Sequence, residues 1–98
     1  MMCGGATEMK VATDDIKELV EKVRPQAVRK SEGRNFSEFT ATHYKSQVVA
    51  GTNFFIKVSL GGDNYAHLRV FRPLPGAGEE ELVAIQFDKK PEDPIEYF

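Results

Sequence analysis

Tryptophan is absent, cysteine occurs once, histidine occurs twice, and 13 basic residues against 15 acidic ones leave a formal charge of only −2. A lone thiol, Cys3, excludes a disulfide within the chain and leaves a free group open to intermolecular pairing under oxidation. His43 and His67 lack the spacing of metal ligands and read as ordinary sheet residues, so neither a metal nor a cofactor is expected. With so small a charge, and no basic cluster beyond Val28-Arg29-Lys30, the chain offers little to nucleic acid or an anionic membrane. No apolar run approaches the roughly 20 residues that span a bilayer. Nor does a secretory apolar core precede the first charged residues, which makes a reducing intracellular compartment the expectation. Enzymatic chemistry is poorly supplied: Cys3 with His43 or His67 would be the nucleophile and base on offer, and nothing fixes a residue so near the terminus beside an imidazole.

What is present fits one domain, since 98 residues can build a single modest core but not a second. Met1 to Ala6 has two glycines and no periodic pattern, and residues 1–7 are expected to be flexible. Glu8 to Val11 reads as a short edge strand. Thr13 can cap a helix that carries Asp14 and Asp15 in its first turn. Ile16, Leu19, Val20, Val23 and Ala27 then recur on one helical face, with Glu18 and Lys22 as an i,i+4 pair on the other, and the helix ends near Lys30 to Gly33. Pro25 removes one helical hydrogen bond, to Glu21. Nine residues on from Ile16, it falls about half a circle from the apolar face, which predicts a bend with the ring on the solvent side. Two shorter helices divided at Pro25 are the alternative.

Four runs then alternate as strands: Phe39 to Val48, Thr52 to Leu60, Tyr65 to Arg72 and Leu82 to Phe87. Phe54, Ile56, Val58 and Leu60 share one face, as do Ala66, Leu68 and Val70, while Phe55, Lys57, Ser59, His67, Arg69 and Phe71 share the other. One apolar and one mixed face predict an α+β fold, one long helix packed on an antiparallel sheet of four to five strands. Gly61-Gly62-Asp63-Asn64 supplies turn chemistry between the middle strands. The stretch joining the first two long strands, Gln47-Val48-Val49-Ala50-Gly51, does not resemble an ordinary turn. Solvated hairpin tips favour Asn, Asp and Ser, whereas this one holds two valines and an alanine. Either these side chains are presented to a partner, or Val48 and Val49 end the strand and the turn lies at Ala50 to Asn53. Leu74-Pro75-Gly76 likewise reads as a Pro-Gly turn or as a second apolar tip. Antiparallel order puts both tips at one end of the sheet.

Gln47 to Gly51 matches the Gln-Val-Val-Ala-Gly hairpin of the cystatins, and the run from Lys45 through Val58 resembles the stefin branch, the small type 1 cystatins. Met1-Met2-Cys3-Gly4, His67-Leu68-Arg69-Val70-Phe71 with Leu74-Pro75-Gly76, and Tyr97-Phe98 fall in stefin order, so the resemblance covers nearly the whole chain. It implies a curved sheet wrapped on a helix. It also implies a reversible, tight-binding inhibitor of papain-like cysteine proteases such as the cathepsins, acting in the cytoplasm. In the stefins an N-terminal segment and two hairpin tips enter the active-site cleft, the terminus on the non-primed side and the hairpins over and beyond the catalytic residues. The glycine matched by Gly4, favoured over Gly5 by its distance from the first methionine, lets the backbone pass close to the catalytic residue, where a side chain would obstruct. By that resemblance Gly4, Gln47, Val48, Val49, Ala50, Gly51, Leu74, Pro75, Gly76 and Tyr97 contact the protease.

One feature departs from the stefin pattern: Pro91 and Pro94 interrupt the C-terminal region, which predicts a short last strand and an irregular tail. The resemblance further implies a monomer able to form a domain-swapped dimer if the valine-rich tip opens. The competing expectation is a non-catalytic interaction module that uses the same scaffold for another protein or a small ligand.

Overall fold

The helix begins where its sequence directs. In the computed structural model, which describes residues 9–31, 36–96 and 98, α1 spans Asp14–Lys30. Thr13 is extended and its hydroxyl accepts from the Ile16 amide at 3.3 Å, while Asp14 and Asp15 lie at the positive end of the helix dipole. Arg29 and Lys30 complement the other end, and the Ser31 amide closes it by donating to the Ala27 carbonyl at 3.1 Å. The helix runs unbroken through Pro25, so the division into two helices does not occur. Pro25 is exposed, on the side where water can take the carbonyl bond that its ring cannot supply. The expected Glu18–Lys22 pair gives way to a longer one, in which the Lys22 ammonium reaches Glu80 at 2.8 Å.

Five strands follow one another in a meander: β1 (Lys10–Val11), β2 (Thr40–Val49), β3 (Gly51–Gly61), β4 (Asn64–Arg72) and β5 (Glu81–Lys89). Every neighbouring pair is antiparallel and sheet order equals chain order. Beneath α1, Phe54 faces Val70, Ile56 faces Leu68 and Val58 faces Ala66 across the β3–β4 ladder. These residues close on Ile16, Leu19, Val20, Val23 and Ala27, all nearly or fully buried. Burial of each branched aliphatic side chain contributes roughly 1.5–3 kcal/mol, which sets this layer as the main source of stability.

The second face departs from the expectation of one covered and one mixed surface. Asn53, Phe55, Lys57, Ser59 and His67 are all buried, and residues 90–96 with Phe98 return across that face over Phe55, Lys57 and His67 as an irregular strap. Ile95 is completely buried within the strap. The Lys57 ammonium donates to the carbonyls of Pro91 and Asp93 at 2.6 and 2.5 Å. Further along, Arg69 Nη1 donates to the Phe98 main-chain oxygen at 2.8 Å and the Phe98 ring meets Phe55 edge-on at 6.0 Å. Pro91 and Pro94 explain the strap: without amide donors they cannot extend the ladder, but nothing prevents them from lying flat on it. The same prolines come too late to shorten β5. That strand runs nine residues rather than the expected six or so.

Candidate functional site

At one end of the sheet the β2–β3 hairpin turns on a single residue. Val49 pairs with Gly51 and Val48 with Thr52, leaving Ala50 at the apex. Each earlier reading of this tip holds in part. The valines are the last strand residues, although the turn is Ala50 alone rather than Ala50 to Asn53, since Gly51 to Asn53 are already paired in β3. They are also presented to solvent, Val48 65 % and Val49 45 % exposed. Gly51 is fixed twice over. Its φ is +118°, and a Cβ there would lie 2.6 Å from the Arg72 carbonyl oxygen and 2.9 Å from Phe71 Cζ. Gln47 steadies the hairpin by accepting from the Asn53 side-chain amide across it at 3.2 Å.

The second tip joins β4 to β5. The Ala77 amide donates to the Leu74 carbonyl at 2.9 Å, with Pro75 and Gly76 (φ +83°) as the central residues of a type II turn. It is therefore a Pro-Gly turn and an apolar tip together, since Leu74 is 56 % exposed. Thr52 pairs with Arg72, which brings the two tips to the same end, as strand order alone required. A third approach comes from β1. Because it runs antiparallel to β2, with Lys10 opposite Tyr44, Met9 is the described residue of this segment nearest the tips. Gly4, Gly5, Cys3 and Tyr97 fall outside the described residues.

The second tip is held only at its base. Residues 74–79 are all exposed, but Arg72 and Glu80, at the two stems, face each other with Nε and Oε2 3.4 Å apart. Arg72 also donates to Asp15 at 3.2 Å and lies over the Phe54 ring at 5.1 Å. Glu80 receives Lys22, a contact that lowers the Glu80 pKa and raises that of Lys22 through their shared hydrogen bond. Gln26 completes the set, its Oε1 accepting from the Leu82 amide at 2.8 Å and its Nε2 donating to the Glu80 carbonyl at 3.3 Å. Sequence reasoning missed this brace, although a signal existed: Asp15, Lys22 and Gln26 are spaced by seven and four, one row along the helix.

His43 and His67 do sit in strands, as expected, but His67 is more unusual than that. It is 1 % exposed, its Nε2 has no hydrogen-bond partner among the described residues, and it borders a polar cavity of about 210 Å³ with Gln86, Lys89, Asp93, Pro94 and Glu96. Burial, reinforced by the Lys57 and Lys89 charges, pushes its pKa down to about 4, so the ring is neutral at pH 7. Lys57 is directly opposite it in the ladder and is itself shifted down by burial. Among the described residues no group of three or more His, Cys, Asp or Glu side chains could hold a metal ion, and no helix is long and apolar enough to cross a membrane.

One helix packed on a five-stranded antiparallel sheet, with two exposed apolar tips at one end of that sheet, defines the class of the domain. The cystatin domain model matches residues 4–92, and the chain belongs to the cystatin family. It is 44 % identical over 99 aligned positions to cystatin-B of Oplegnathus fasciatus, covering 100 % of this chain and 98 % of the relative. Human cystatin-A is also 44 % identical over 99 positions, with both chains covered in full. A third relative, from Sus scrofa, is named leukocyte cysteine proteinase inhibitor 1; it is 44 % identical over 99 positions, covering 100 % of this chain and 95 % of its own. These full-length likenesses place the chain beside the stefins, and its helix and five-stranded antiparallel sheet have the cystatin fold.

Proposed function

We propose that this protein is a reversible, tight-binding competitive inhibitor of papain-like cysteine proteases of the cathepsin type, and not an enzyme. Family membership supports the class of partner. The observation that carries the mechanism is the exposure of Val48, Val49 and Leu74 on two tips at one end of a rigid sheet, where none of them can reach the protein's own core. Val48, Val49 and Ala50 enter the cleft from the first tip, held in shape by Gln47 and Gly51; Leu74, Pro75 and Gly76 enter from the second. Gly4 and Tyr97 extend the contact from the two termini. A protease–inhibitor interface of this kind buries roughly 800 Å² per partner, and its aliphatic area is worth about 25 cal/mol per Å². Both tips are preformed, so they lose little conformational freedom on docking.

No tip runs through the cleft as an extended substrate with a bond set over the nucleophile. The block is therefore steric, and the inhibitor leaves uncleaved. The active species is the monomer in the cytoplasm, because a domain swap that opened the first tip would remove Val48 and Val49 from the edge. Titration of active papain with the purified monomer tests the reading. Stoichiometric loss of activity, recovery on dilution and intact inhibitor are expected. A folded monomer that leaves papain fully active refutes it and favours the alternative, a cystatin-fold interaction module for another protein or ligand.

A further inference from the structure

The two tips are not equally supported. The first is the end of a paired ladder, with Val49 opposite Gly51 across it. The second is a seven-residue excursion, Pro73 to Glu79, in which the Ala77 amide donates to the Leu74 carbonyl. Its two glycines, Gly76 and Gly78, adopt positive φ with almost nothing packed near them. Such a loop takes its direction from its stems. Here the stems are tied to each other by Arg72 and Glu80 and to one row of α1 by Asp15, Lys22 and Gln26. Glu80 is the hub. Its carboxylate meets Lys22 and Arg72 with two different oxygens, its carbonyl accepts from Gln26, and its side chain is only 17 % exposed.

Arg72 extends the link to the first tip, since its main chain pairs with Thr52 and its carbonyl lies against Gly51. Its guanidinium covers the ring of Phe54 on the neighbouring strand β3. One ionic joint thus lies between the apolar groups of the two tips. We propose that Glu80 is a positioning residue: through Arg72 and Lys22 it sets where Leu74 stands relative to Val49, and thereby determines how tightly the second tip engages a protease. The proposal rests on the inhibitor reading and deepens it. Preorganisation is its physical content, because a loop fixed before docking does not have to be ordered at the moment of binding. Lys22 and Asp15 stand in solvent, but charges joined in a network with several partners hold geometry better than isolated exposed pairs, which commonly contribute nothing measurable.

The test is a double-mutant cycle on papain inhibition with Glu80→Gln and Leu74→Gly, each variant checked for an unchanged fold by its unfolding midpoint. Glu80→Gln keeps the shape and removes the charge, and is expected to weaken inhibition by roughly five- to tenfold, mainly through faster dissociation. In the Leu74→Gly background the same change is expected to weaken it by less than twofold, because the side chain being positioned is gone. A purely structural role would give the same loss in both backgrounds, and that result overturns the proposal, as does unaltered inhibition by Glu80→Gln. Amide exchange at Ala77 supplies a readout independent of any protease. Faster exchange at Ala77 with unchanged exchange at Ile56 is expected in Glu80→Gln, and equal exchange in variant and parent overturns the brace even if papain proves not to be the target.

Discussion

Acid should weaken this protein in a way that one side chain dominates. His67 is neutral in the fold, buried opposite Lys57 and near Lys89, with a pKa pushed down to about 4. In the unfolded chain a histidine takes up its proton near pH 6.5, so between pH 6.5 and 4 the unfolded state binds more protons than the native one. Stability therefore falls as pH falls through this window and levels off below about 4. Each pH unit of separation is worth about 1.4 kcal/mol, which gives a loss of about 2 kcal/mol by pH 5 and about 3 kcal/mol by pH 4 relative to pH 7. For a domain of this size that is a substantial share of a typical ~5–15 kcal/mol. Urea unfolding at pH 7, 6, 5 and 4 on the parent and on His67→Gln measures it. Every other ionisable group, Asp93 beside the ring included, is common to both proteins, so the difference in slope isolates the histidine. Parallel stability curves for the two proteins, or an NMR titration placing His67 near 6.5, would refute the reasoning.

Three other perturbations have outcomes fixed by the geometry. Gly51→Ala puts a methyl group within 2.6 Å of the Arg72 carbonyl in a left-handed backbone, and should cost about 2 kcal/mol or more in thermal or urea unfolding while displacing the first tip. Val49→Asp lies on an exposed strand end, so stability should change by less than about 0.5 kcal/mol, whereas papain inhibition should fall by about two orders of magnitude as a charge is forced into an apolar contact. Ile95→Ala empties a fully buried position of the strap and should cost about 2–4 kcal/mol in urea unfolding. A change below about 1 kcal/mol would mean that the strap is not anchored there.

The core was legible because it depends on period. Ile16, Leu19, Val20, Val23 and Ala27 announce a helix face, and Phe54, Ile56 and Val58 a strand face, without knowledge of any distant residue. The end of the sheet that carries both tips followed from antiparallel order. What the sequence concealed depends on long-range pairing. Lys22 was assigned to Glu18 because four residues is the local rule, but its partner is Glu80, 58 positions further on. Lys57 and His67 looked like solvated residues of a mixed face because the segment that covers them is aperiodic and contains two prolines. At the first tip the ambiguity between strand end and exposed tip was real, since Val48 and Val49 are both.

The strap also imposes an order of events on folding. Residues 90–98 follow all five strands in the chain, and they reach back 34 positions from Pro91 to Lys57 and 29 from Phe98 to Arg69. A chain made from its N-terminus can assemble helix and meander largely from neighbouring elements, but Phe55 and His67 then stay open to water until the final stretch arrives. During that interval the molecule is a one-sided sheet with an uncovered aromatic, Phe55, prone to pair with another copy through that face. Trimming the chain from that end would make the interval permanent, converting a transient hazard into a lasting tendency to aggregate.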